Sequence, residues 1–117
     1  MKLDEFMATG NFNRKIAIYV PSTVSVNVKA DTSAWIEKTA VLLSDCFGGC
    51  TQVRATGNWI STNKTLVNED VTIVYAFCNS SDLELLFSKI YAHVVDMRDS
   101  LSQEAISVEI DSRLFFV

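Results

Sequence analysis

Proline appears once, histidine once, glycine four times and cysteine three times in 117 residues. So little Pro and Gly excludes collagen-like and low-complexity chains. With His93 as the single histidine and no Cys-x2-Cys pair, zinc-site spacings and Ser- or Cys-nucleophile motifs are missing. Three cysteines, Cys46, Cys50 and Cys78, cannot close a disulfide framework within one chain and are expected as reduced thiols. Long apolar runs are missing too: Ile16–Val20 and Val71–Phe77 fall far short of a membrane span. The first twelve residues carry Asp4 and Glu5 without the apolar core of a signal peptide, so a cytoplasmic location is expected. The sequons at Asn63 and Asn79 would carry no meaning there. An excess of positive charge is also wanting. Fourteen acids against ten bases give −4, which removes the usual electrostatic basis for nucleic-acid binding.

What is present reads as one ordinary domain, with 49% hydrophobic and 21% charged residues. Residues 1–13 are polar and uneven and are expected as a flexible arm, leaving 14–117 as a single α+β domain. Arg14–Val20 is a β-rich run apolar on both faces, as a central strand is, and Pro21 closes it. Ser22–Ala30 is a connector holding Thr23, Val24, Val26 and Val28, partly extended. Asp31, Thr32 and Ser33 offer N-cap oxygens to a helix ending at Gly48-Gly49, with Ile36, Ala40, Leu43 and Phe47 at helical spacing. Thr51–Ile60 and Leu66–Cys78 form a hairpin about Ser61-Thr62-Asn63-Lys64, and Val71–Phe77 again reads as central. Ser81-Asp82-Leu83-Glu84 matches a capping box opening a helix to about Leu101. Its apolar stripe is Leu83, Phe87, Ile90, Val94, Met97 and Leu101, with Asp82, Lys89, Asp96 and Asp99 opposite. Ile106, Val108 and Ile110 alternate with Ser107 and Glu109, and Asp111-Ser112 turns the chain into Leu114–Val117.

The order β-α-β-β-α-β-β contains the ferredoxin-like split β-α-β pattern plus one C-terminal strand. Right-handed crossovers put the first and third strands in the middle, the two that read as apolar on both faces. Two helices are then expected on one face of an antiparallel sheet, leaving the other face open.

Few residues carry chemistry by pattern. His93 sits at the shoulder of the second helix stripe, where packing is the expected role. Cys46, Cys50, Cys78 and His93 have ligand chemistry but not ligand spacing, and free cysteines behave as small buried hydrophobes. Gly48-Gly49 ends a helix where phosphate loops begin one. Glu69-Asp70 and Gln103-Glu104 each open a strand and could meet at one sheet end, where paired carboxylates can do acid–base work. Solvated strand ends are the commoner outcome. No catalytic residue, metal or cofactor is therefore expected.

From Phe47 onward the chain resembles a family of short bacterial proteins known as a domain of unknown function. The likeness lies in Phe47-Gly48-Gly49-x-Thr51, Gly57-x-Trp59, Leu66-Val67-x-Glu69 and Gln103-Glu104-Ala105-Ile106. The chain lacks the export signal of many members of that pattern. What the resemblance implies is attention to Gly57, Trp59, Glu69, Gln103 and Glu104, whose structural reading is a Gly and a Trp across a hairpin and polar groups at strand ends.

The leading expectation is a non-enzymatic protein-binding module, of the kind mobile elements make to block host defences, such as anti-CRISPR proteins. Tyr19, Tyr75 and Phe77 would anchor a protein partner or a second copy (a homodimer) on the open face. The main alternative is a small-molecule binder or enzyme with a pocket between sheet and helices. A regulatory or structural module of a larger assembly is the third.

Overall fold

A computed structural model describes residues 1–25 and 28–117; the expected extension at Val26 lies outside the described residues. The elements are α1 (Leu3–Met7), β1 (Arg14–Pro21), β2 (Thr23–Val24), β3 (Val28–Lys29), α2 (Ser33–Phe47), β4 (Thr51–Ile60), β5 (Leu66–Cys78), α3 (Ser80–Ser100), β6 (Ser107–Ile110) and β7 (Arg113–Phe116). Five strands form one antiparallel sheet in the order β4-β5-β1-β6-β7, with β1 in the middle, and β2-β3 form a small second sheet. The α+β ferredoxin-like architecture with an added C-terminal strand is the one expected.

Alternation along the strands separates the faces. Ile16, Ile18 and Val20 of β1, Val74, Ala76 and Cys78 of β5, and Val108 of β6 share one core with Leu43 and Phe47 of α2 and Leu83, Ile90, Val94, Met97 and Leu101 of α3. Both helices therefore cover a single face. Gly48 takes φ 89° at the end of α2, a conformation glycine adopts without a Cβ penalty. Asp111 and Ser112, at φ 52° and 69°, make the two-residue turn between β6 and β7. The turn is tied to β1: Asp111 accepts from the Lys15 amide at 3.0 Å and from Arg14 Nε at 2.6 Å, and these donors hold its carboxyl below its ordinary pKa.

Two expectations need correction, and the N-terminal arm gains a detail. The N-terminal arm contains a short helix, though none of its residues is buried. The cap of α3 is Asn79, not Ser81: Asn79 Oδ1 accepts from the Asp82 amide at 2.8 Å, and Asn79 Nδ2 donates back to the Asp82 carboxylate at 3.2 Å. This is the same reciprocal logic two residues earlier, with Ser80 engaged by Arg14. Phe87 is 36% exposed, beside the likewise exposed Tyr91, because the stripe rotates and Leu86 takes its place against the core.

Ile90→Ala should accordingly cost about 2–5 kcal/mol in denaturant melts, whereas Phe87→Ala should cost under about 1 kcal/mol. Equal losses would place Phe87 back in the core.

Candidate functional site

The sheet face away from the helices is built by the odd-numbered residues of β1, β4, β5 and β6. The register lays Lys15 beside Phe77, Ala17 beside Tyr75, Tyr19 beside Ile73 and Pro21 beside Val71. Next door, Gly57 lies opposite Glu69 and Trp59 opposite Val67. Tyr19, Tyr75 and Phe77 therefore all stand on the open face, an assignment the sequence had left open between the two faces.

At the end of the sheet where β1 stops, two clefts meet. One, of about 230 Å³, is lined by Tyr19, Pro21, Gly57, Glu69, Val71, Gln103 and Ile106, among others. The second, of about 460 Å³, is lined by Thr23, Lys29, Trp59, Asn68, Glu69 and Asp70 with their neighbours. Glu69 belongs to both. Gly57 keeps space above it: a Cβ there would sit 3.7 Å from the Glu69 carbonyl, an ordinary contact, so backbone geometry does not demand the glycine. What the missing side chain does is leave room on the open face beside the carboxylate.

Three distant segments orient Glu69. Thr23, 7% exposed, donates from Oγ1 to Glu69 Oε1 at 3.4 Å. Gln103 Nε2 donates to the Thr23 carbonyl at 3.0 Å and reaches Thr23 Oγ1 at 3.4 Å. The chain around it is pinned by Ser25 N–H to the Leu101 carbonyl (2.9 Å) and Ser22 Oγ to the Asp70 carbonyl (2.7 Å). Because the Gln103 amide nitrogen is committed to Thr23, its Oε1 is left to accept from a guest. Beside it the Tyr19 hydroxyl donates to Glu109 Oε1 at 3.1 Å. Burial first, then that bond and the Glu109 charge, push the phenol pKa up. The corner thus offers a carboxylate, an amide acceptor, two aromatic rings and apolar walls, a chemistry suited to an organic cation bearing N–H donors.

Of the residues marked by the family resemblance, Gly57, Glu69 and Gln103 come together on one cleft, and Trp59 joins Glu69 on the other. Glu104 is exposed and lines neither. Tyr75, opposite Ala17, is the diagonal neighbour of Tyr19, and Phe77, opposite Lys15, lies one pair further toward the start of β1. Thr23 and Lys29 were not anticipated; a threonine in a connector has no periodic or motif signal. His93 packs between α2 and α3, its Nε2 2.8 Å from Thr39 Oγ1 and its ring 5.7 Å from Trp35. The Thr39 hydroxyl donates to the Trp35 carbonyl, so the His93 Nε2–H donates to Thr39. Among the described residues no group of three His, Cys, Asp or Glu side chains is gathered for a metal.

No protein-family model and no curated protein matches the sequence. Two solved structures match the architecture. One is a phage SAM lyase in complex with S-methyl-5'-thioadenosine, at TM-score 0.64 and 16% identity over 92% of this chain and 91% of that one. The other is a phage SAM lyase in the apo state, at TM-score 0.63 and 17% identity over 93% and 91%. The fold resembles that of a phage SAM lyase.

This overturns the leading expectation of a non-enzymatic, anti-CRISPR-like protein-binding module. Both matched folds belong to a lyase, and a nucleoside is bound to one. The open face, where the sequence placed aromatic anchors on two strands apolar on both sides, also carries Glu69, Glu109 and the polar network behind them. The findings favour the small-molecule alternative, although the clefts lie on the open face and not between sheet and helices.

Raising the Tyr19 pKa above the ordinary phenol value of about 10 means that the unfolded chain ionises first as pH climbs. Its contribution is intact below about pH 10 and is lost as pH rises toward the folded value. A difference ultraviolet titration of the protein against Tyr19→Phe should place the Tyr19 step above the ordinary phenol value, and Glu109→Gln should move that step down. A Tyr19 step at or below the ordinary phenol value would contradict it.

Proposed function

We propose that the Glu69 cleft binds S-adenosylmethionine and that the chain cleaves it by lyase chemistry, releasing S-methyl-5'-thioadenosine. One observation carries the reading: a buried threonine and a glutamine aim a carboxylate into a cleft on the open face of a fold shared with a lyase solved with that nucleoside.

The chemistry needs little from the protein. A sulfonium is already a good leaving group, so the bond between sulfur and Cγ of the aminobutyryl arm breaks with its electron pair going to sulfur. When an oxygen of the substrate's own carboxylate forms the new bond to Cγ, a five-membered lactone closes. No water, base, metal or cofactor is consumed, and the atoms balance. The chain's contribution is to fold the arm so that oxygen and Cγ are in line, an effect of proximity and orientation.

Charge decides what Glu69 should hold. The sulfonium charge disappears in the transition state, so a carboxylate against sulfur would stabilise reactant more than transition state. The α-ammonium keeps its charge throughout, and Glu69 therefore pairs with it while Gln103 Oε1 accepts a second N–H. Tyr19 and Trp59 offer ring faces to adenine or the S-methyl group. Pro21, Val71 and Ile106 wall the cleft against water.

On this reading the spaced Gly57, Glu69 and Gln103 motif shared with the family of unknown function marks a ligand cleft. We place the activity in the cytoplasm, in keeping with three free cysteines and the absence, among the described residues, of a helix long and apolar enough to cross a membrane.

Purified protein incubated with S-adenosylmethionine should release S-methyl-5'-thioadenosine, followed by chromatography. Glu69→Gln should lower kcat/KM about 100-fold or more, as expected for removing one charge of a buried pair. Gly57→Val should depress activity by filling the cleft while leaving the circular dichroism spectrum unchanged. Absence of product together with absence of calorimetric binding, or full activity in Glu69→Gln, would sink the proposal.

A further inference from the structure

The other end of the open face is built differently. Tyr75 lies six residues along β5 from Glu69, roughly 20 Å away. A cleft of about 440 Å³ there is lined by Phe12, Phe47, Gly48, Tyr75 and Phe77 with their neighbours. Tyr75 and Phe77 meet edge to face with ring centroids 5.9 Å apart, and Phe77 is 52% exposed. Lys15 Nζ stands 4.5 Å from the Tyr75 centroid and 5.9 Å from that of Phe77. Among the described residues Lys15 makes no ion pair. A Cβ on Gly48 or Gly49 would meet nothing within 4 Å, so that wall is bare backbone with open space before it.

The N-terminal arm carries the complementary surface. α1 sets Leu3, Phe6 and Met7 at i, i+3 and i+4, one stripe of a helix. They are 73%, 63% and 69% exposed, and no residue of α1 is buried. Asp4 and Glu5 lie beside the stripe. An isolated helix of one turn is not stable in water, so this one needs a surface to form on. Only residues 8–11 separate α1 from Phe12, and the helix does not fold back onto its own cleft.

We propose that the arm of one copy lays Leu3, Phe6 and Met7 into the Phe12–Tyr75–Phe77 cleft of a second copy, with Asp4 or Glu5 pairing with the unpartnered Lys15. Exchange of both arms closes a dimer. Each arm offers on the order of 500 Å² and covers as much of its cleft, so two arms bury roughly 2,000 Å², within the range of specific interfaces. Joining an acidic segment to a lone cation also fixes its direction in the cleft. This assembly does not depend on the reaction proposed at Glu69.

Sedimentation velocity of the full chain over a concentration series should show dimer. Phe6→Asp, at a position exposed in the single chain and so harmless to its fold, should raise the dissociation constant about thirtyfold or more. Lys15→Glu should weaken the dimer too, and combining it with Asp4→Lys and Glu5→Lys should restore it. A monomer at every concentration overturns the proposal, including one whose α1 is protected from proteolysis by folding back on its own cleft. So does a dimer that Phe6→Asp leaves unchanged.

Discussion

Between Arg14 and Pro21, β1 pairs antiparallel with β5 from Cys78 to Val71, and this one register assigns nearly every other role in the molecule. A strand presents alternate residues to opposite faces, so a slip of one position would bring Ile16, Ile18 and Val20 to the open side and Lys15, Ala17 and Tyr19 into the core. Burying the first set against α2 and α3 penalises any such slip, since each large aliphatic side chain removed from water contributes about 1.5–3 kcal/mol. The same alternation carries β4 along, opposite β5, and lays Gly57 against Glu69. Core and cleft are two faces of a single constraint.

The Glu69 corner depends on contacts that span most of the chain. Thr23 lies 46 positions from Glu69 and 80 from Gln103, yet its side chain and carbonyl bring both into one network. A polar side chain this buried is costly unless satisfied, and among the described residues no buried side-chain nitrogen or oxygen lacks a partner. The network is thus both a structural tie between β5, β2 and the α3–β6 connection and the means of aiming a carboxylate. Such double duty restricts what the connection can become: Ser102 at φ 51° turns the backbone so that Gln103 faces Thr23.

The open face has a polarity along its length that neither strand would reveal alone. Glu69 lines the cleft that suits a cation and Glu109, opposite Ala17, holds the Tyr19 hydroxyl beside it, whereas Lys15 sits among the aromatics further along. Mild acidity, read over the whole chain, argued only against nucleic acid. Distributed on the sheet, it becomes an acidic corner with a specific geometry.

Element order, the two central strands, the hairpin boundaries at Thr51–Ile60 and Leu66–Cys78, and most of the α3 stripe were legible in the sequence, because periodicity and turn chemistry act over a few residues. Glu69, Gly57 and Gln103 were visible as spaced motifs, and the strand order already allowed Glu69 and Gln103 to meet at one sheet end; the cleft they line with Gly57, and Thr23 as the link between them, were not visible. The Asn79 cap escaped because Asn79 and Ser81 both offer the right oxygen, and the choice is made by where β5 ends and by Arg14 engaging Ser80. Phe87 satisfied the helical spacing as well as Leu86 did; only the angle at which α3 settles on the sheet decided between them. Thr23 carried no signal at all. Local pattern determined which elements form and which way they face. Contacts between residues 46 and 80 positions apart decided what Glu69 touches, because such contacts arise from packing and not from propensity.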